Sequence, residues 1–105
     1  MYSDIPYKKI EGRRGHDSVY VYGLSFCDHC KAAIEFLKEE GFSFHYVYLD
    51  RIRGEYRRRV TADLEAIWKQ KLIYPILEVG GEFTFGFDEE SWRSTIGSAE
   101  HSPSS

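Results

Sequence analysis

Between Ser18 and Leu49 the sequence changes its period twice, and that change sets the fold class more firmly than anything else in the chain. Ser18-Val19-Tyr20-Val21-Tyr22 is a dense β-branched and aromatic run, suited to a strand covered on both faces. The spacing then becomes helical. Cys30, Ala33, Ile34 and Leu37 fall at i, i+3, i+4 and i+7, so a helix is predicted over Asp28–Glu40 with that stripe inward. Gly41 follows as a C′ residue able to take positive φ. From Phe42 to Leu49 alternation returns and predicts a second strand. Strand, helix and strand over this length make a βαβ unit with a right-handed crossover.

The rest of the chain extends that unit. A long helix is predicted over Arg53–Lys71, with Tyr56, Val60, Leu64, Ile67 and Trp68 as its apolar stripe. Pro75 opens a third strand, Ile76–Val79, and Gly80-Gly81 is a two-residue hairpin signal before a returning strand, Glu82–Phe85. A last helix is predicted over Asp88–Ile96, with its acidic first turn against the positive end of the helix dipole. The expected order is β-α-β-α-β-β-α, an α/β fold with a four-stranded mixed sheet and flanking helices. Residues 1–17 are read as an N-terminal extension, in which Ile5–Ile10 fits either an edge strand or a turn. Residues 18–97 form the domain, and residues 98–105 a small, polar, frayed tail.

Both cysteines of the 105-residue chain lie in one unit, Cys27-Asp28-His29-Cys30, at the start of the first long helix. Unpaired N–H groups and the helix dipole favour an anion there, so Cys27 is expected to be the attacking thiolate of disulfide exchange. Cys30, one turn on and within the buried stripe, is expected to be the shielded resolving thiol. His29, when protonated, would favour the Cys27 thiolate, and Asp28 would oppose it. A bridge this short closes almost no loop, which argues against a structural staple. C-x-x-C is also half of a zinc site, but the other candidate ligands, His16, His29, His45 and His101, are scattered. No metal site is expected. A metal or iron–sulfur binding module using Cys27 and Cys30, and a non-catalytic adaptor, are the competing readings.

Charge and hydropathy narrow the partners. A net charge of −3 argues against nucleic acid, which needs clustered cations. No apolar run approaches the roughly 18 residues of a membrane span, and the first ten residues lack the apolar core of a secretory signal, so a cytoplasmic location is expected. The run Arg51, Arg53, Arg57, Arg58 and Arg59 reads either as a solvated helix face or as a docking patch for an acidic partner.

Three elements in this order resemble the glutaredoxins, within the thioredoxin-like fold, over about Ser18 to Ile96. They are Val19–Tyr22 followed by Cys27-Asp28-His29-Cys30, Tyr74-Pro75 before a strand, and Gly86-Phe87-Asp88-Glu89-Glu90 before the last helix. The resemblance implies a dithiol thiol–disulfide oxidoreductase with no prosthetic group, acting on protein disulfides or glutathione mixed disulfides and expected to be a monomer. It implies that Pro75 is cis beside the cysteines, and that the Tyr74 backbone meets the bound peptide or tripeptide. It further implies that the turn at Gly86, Phe87, Asp88 and Glu89 receives the γ-glutamyl end of glutathione, the expected co-substrate. The sequence departs from the common pattern at Asp28-His29 (Pro-Tyr), Leu24 (Lys), Ile73-Tyr74 (Thr-Val) and Phe87 (a second Gly). Gly86-Phe87 is similar to the late turn of the glutaredoxin-like electron donors of ribonucleotide reductase. By that similarity, a flavoenzyme of the thioredoxin reductase type is the other expected reductant, with Phe87 as a docking surface.

Overall fold

The computed structural model describes residues 5–14 and 18–100. Its elements are β1 (Lys8–Ile10), β2 (Val19–Gly23), α1 (Asp28–Glu39), β3 (Phe44–Tyr48), a 3-10 turn (Leu49–Arg51), α2 (Gly54–Trp68), β4 (Ile76–Val79), β5 (Glu82–Phe85) and α3 (Glu89–Glu100). The fold is thioredoxin-like, but the sheet has five strands rather than four, in the order β1-β3-β2-β4-β5. β2 and β3 run parallel, and the other three pairings are antiparallel. The added strand is β1, which pairs Lys8 with Tyr46 and Ile10 with Phe44. Three residues reading Lys-Lys-Ile carry too little pattern to be distinguished from a turn, and it is the exposed edge of β3 that makes them a strand.

The Val-Tyr-Val-Tyr run divides the core. Val19 and Val21 face α1 and α3, packing with Ala33, Leu37, Phe44, Leu77, Trp92 and Ile96. Tyr22 faces α2, with Val47, Val60, Leu64 and Ile76. Alternation along one strand therefore supplies both layers, as a sheet covered on two sides requires. Tyr22 is fully buried. Its hydroxyl donates to Glu78 Oε1 at 2.8 Å and lies 2.8 Å from the Tyr7 hydroxyl. Burial, reinforced by these neighbours, pushes the Tyr22 phenol above its ordinary range, so it stays a donor to the buried Glu78.

Helix ends follow local chemistry. α1 closes with Gly41 at φ +79°, Gly41 N donating to Lys38 O and Phe42 N to Leu37 O, the Schellman pattern. Gly80 and Gly81 both have positive φ, as a tight hairpin requires. α2 stops three residues before the expected Lys71, because Lys69 takes φ +64° and its N–H turns back to Glu65 O. Within its stripe Val60 and Leu64 are buried and Trp68 stacks on Phe85 at 4.5 Å, but Ile67 is exposed rather than inward. α3 starts one residue later than expected and runs on to Glu100, and the tail beyond it lies outside the described residues. Among the described residues no helix is long and apolar enough to cross a membrane.

Candidate active site

The first turn of α1 is organised by sulfur. Cys27 is the N-cap residue, with extended backbone (φ −101°, ψ 117°), and its Sγ accepts the Cys30 N–H at 3.3 Å. A thiol thus stands where Ser or Asp commonly caps a helix, and a backbone N–H points at its sulfur. Cys27 is half-buried; Cys30 is 1% exposed. Cys30 Sγ accepts the Leu24 N–H at 3.4 Å, so the loop before Cys27 and the sulfur after it hold each other. Burial pushes the Cys30 thiol up to about 12, and the Cys27 sulfur adds to that, against the Leu24 N–H, which favours the anion.

That value has a direct consequence. At pH 8 Cys30 is held as the thiol. Iodoacetamide is therefore expected to label the native reduced protein on Cys27 alone, with Cys30 labelled only after unfolding. Peptide mapping checks this; native Cys30 labelling at the unfolded rate would contradict it.

Gly23 forms the floor under Cys30. A Cβ added there would lie 3.1 Å from Cys30 Sγ and 3.2 Å from Cys30 Cβ. Gly23→Ala is expected to displace the Cys30 sulfur and lengthen the life of a mixed disulfide formed on Cys27 by about 10-fold or more. Quenched-flow mass spectrometry measures that lifetime, and an unaltered one would remove Gly23 from the site.

The loop between β2 and α1 is anchored from the 3-10 turn that follows β3. Ser25 N donates to Asp50 Oδ1 at 2.8 Å, the Ser25 hydroxyl meets Asp50 Oδ2, and Arg51 Nε donates to Ser25 Oγ at 3.2 Å. Burial alone would raise the Asp50 carboxyl, but the Ser25 hydroxyl and N–H hold it below the usual range. Neither Gly23 nor the Ser25–Asp50 pair was identifiable from the sequence. A glycine ending a strand and an Asp just past the next strand are common, and only the fold brings them to the cysteine loop.

On the other side stands Pro75. β2 and β4 are antiparallel with Tyr22 opposite Ile76, so Pro75, one residue earlier, neighbours Gly23 at the mouth of the Cys27 loop. The Tyr74–Pro75 bond is cis, and Tyr74 is half-buried, its phenol raised by burial. Gly86, at φ +92°, donates its N–H to Pro75 O at 2.9 Å, joining the late turn to the proline. Trp92 holds the same turn, its Nε1 donating to Gly86 O at 2.9 Å. Phe87 is half-buried, with its ring against Phe36 and Trp92 (centroids 5.6 and 5.0 Å). Asp88 is exposed and caps α3, its Oδ2 accepting the Ser91 N–H at 3.1 Å; Glu89 is exposed, 4.0 Å from Arg93. Asp28 and His29 are both exposed on the first turn of α1.

Tyr74, Pro75, Gly86, Phe87, Asp88 and Glu89 are thus joined as one continuous wall. Two exposed apolar residues flank it, Phe26 (73%) immediately before Cys27 and Ile73 (50%) immediately before Tyr74. The arginine run lies outside this wall, along the 3-10 turn and the first turns of α2, with Arg53 3.2 Å from Glu55. Among the described residues no three His, Cys, Asp or Glu side chains gather at metal-binding distance. His45 stacks on Tyr20 at 4.6 Å, and His16 and His101 lie outside the described residues.

Comparison with known proteins gives a consistent result. The sequence profile of the glutaredoxin family matches residues 19–84, more than half of the chain. A crystal structure of a glutaredoxin from Archaeoglobus fulgidus is 35% identical, covering 75% of this chain and 85% of that one, with a TM-score of 0.68. A glutaredoxin from Methanosarcina mazei is 27% identical over 87% of each chain, with a TM-score of 0.74. The glutaredoxin-like NrdH-redoxin of Escherichia coli, 19% identical over 75% of this chain and 93% of that one, shares the fold with a TM-score of 0.60. No curated protein matches the sequence.

Proposed function

This chain belongs to the glutaredoxin family, and from that premise we propose that it is a dithiol thiol–disulfide oxidoreductase in which Cys27 attacks and Cys30 resolves. The observation that carries the reading is the asymmetry of the pair. Cys27 is accessible, with a backbone N–H on its sulfur, whereas Cys30 is sealed beneath it and stays protonated.

In the first step the Cys27 thiolate attacks one sulfur of a substrate disulfide. The substrate S–S bond breaks, a Cys27 mixed disulfide forms, and the departing thiolate takes up a proton. In the second step Cys30 loses its proton and attacks Cys27 Sγ. The mixed disulfide breaks, the second substrate thiol leaves, and the Cys27–Cys30 disulfide remains. Two electrons have moved from the protein to the substrate.

The substrates are protein disulfides or glutathione mixed disulfides, in a reducing, cytoplasmic compartment. Exposed Phe26 and Ile73 beside the cysteines support a protein substrate. The wall from Tyr74 to Glu89 receives it, the Tyr74 backbone offering strand-like hydrogen bonds. The reductant is glutathione or a flavoenzyme of the thioredoxin reductase type.

The test is a trap. Cys30→Ser, incubated with a disulfide-bonded protein, is expected to accumulate a reductant-sensitive covalent adduct on Cys27. Equal trapping by Cys27→Ser would overturn the assignment of roles.

A further inference from the structure

A cavity of about 470 Å³ opens on the side of the Cys27 loop away from Pro75. Its walls include Lys8 of β1, Lys31 of α1, Ser25, Tyr46 and Tyr48 of β3, and Arg51 of the 3-10 turn. It is thus built where the edge strand β1 meets β3, and nothing in the redox steps above uses it.

Charge distinguishes this cavity from the rest of the surface. The chain carries a net charge of −3, yet three cations and no Asp or Glu line these walls. Outside it Lys9 pairs with Glu11 and Lys38 with Glu35, both at 3.8 Å, and Arg93 with Glu40 at 3.2 Å. Among the described residues neither Lys8 nor Lys31 pairs with a carboxylate. Arg51 is ion-paired with Asp50 at 3.6 Å, and the same carboxylate holds Ser25. Arg51 Nε donates to Ser25 Oγ while the side chain stays 73% exposed. A cleft lined by one sign of charge concentrates ions of the other.

The remaining wall is aromatic. The Tyr46 and Tyr48 rings meet edge to face at 5.5 Å. Burial raises the Tyr48 phenol, which leaves it a hydrogen-bond donor at neutral pH. The volume falls in the roughly 300–1,000 Å³ range of small-molecule sites.

We propose that this cavity is a binding site for a small phosphate-bearing molecule of about mononucleotide size, its anionic end on Lys8, Lys31 and Arg51 and its organic part against Tyr46 and Tyr48. The site does not depend on the redox chemistry, so Cys27→Ser should bind equally well.

The test uses adenosine monophosphate, inorganic pyrophosphate and adenosine as probes, followed by amide chemical shifts of the full chain. The expected result is saturable binding of the monophosphate, with shifts centred on Lys8, Lys31, Tyr46, Tyr48 and Arg51. Pyrophosphate should bind at the same residues more weakly, and adenosine should not bind measurably. Lys8→Gln and Lys31→Gln, both at exposed positions, should each weaken the monophosphate about 5-fold, and the double variant more than either alone. No saturable shift up to about 10 mM monophosphate, shifts centred elsewhere, or an undiminished response in the double variant would overturn the proposal. Equal binding of adenosine would overturn it as well.

Discussion

Cys27→Ser is expected to abolish disulfide reduction, lowering the rate at least about 10³-fold toward the uncatalysed background. A serine hydroxyl at this cap can accept the Cys30 N–H as the thiol does, so the fold should survive. What disappears is the nucleophile. Cys30 cannot replace it, being 1% exposed and held near a pKa of about 12. Kept as the thiol by burial and shielded from substrate, Cys30 offers negligible residual attack. The assay is turnover of a small disulfide under a coupled reductant, with far-ultraviolet circular dichroism to verify folding. A folded variant retaining a tenth or more of the activity, by about that measure, would place the attacking sulfur elsewhere.

The second large effect is expected at Trp92, which is fully buried and joins core and site in one side chain. Its ring packs against Phe87 at 5.0 Å, and its Nε1 holds the Gly86 carbonyl, whose own N–H is held by Pro75. Trp92→Ala should cost about 3–5 kcal/mol through lost burial and a residual cavity. Against the 5–15 kcal/mol typical of domains, that lowers Tm by roughly 12 °C or more. Trp92→Phe keeps most of the burial but leaves Gly86 O without its donor, a loss nearer about 1 kcal/mol. The phenylalanine variant should therefore stay folded while binding substrate at the late turn more weakly. A loss below about 1 kcal/mol for the alanine variant would mean that the turn is not supported from the core.

The contrast between Trp92 and Cys27 shows where the sequence is informative. The placement of the cysteine pair was legible because position along the chain carries the physics: a strand, a short loop, a helix start, then a cysteine on the buried stripe. Gly41 and Gly80-Gly81 were legible for the same reason, since positive φ is a local demand. Trp92 was not assigned a role, because its partner is a carbonyl six residues back whose position depends on Pro75. β1 could not be resolved because a three-residue strand with two lysines is defined by its partner rather than by itself. Ile67 satisfies the helical stripe yet ends up exposed, since periodicity places a residue on a face without saying how far the neighbouring layer extends. The anchor between Ser25 and Asp50 joins residues 25 apart in the chain, and neither carries a local signal of it.

The most direct measurement is peptide mapping of the reduced protein after incubation with one equivalent of a disulfide substrate. The account predicts one intramolecular Cys27–Cys30 disulfide, two substrate thiols released per protein, and full recovery of both protein thiols on adding reductant. Intact substrate alongside two free cysteines in a folded protein would contradict it.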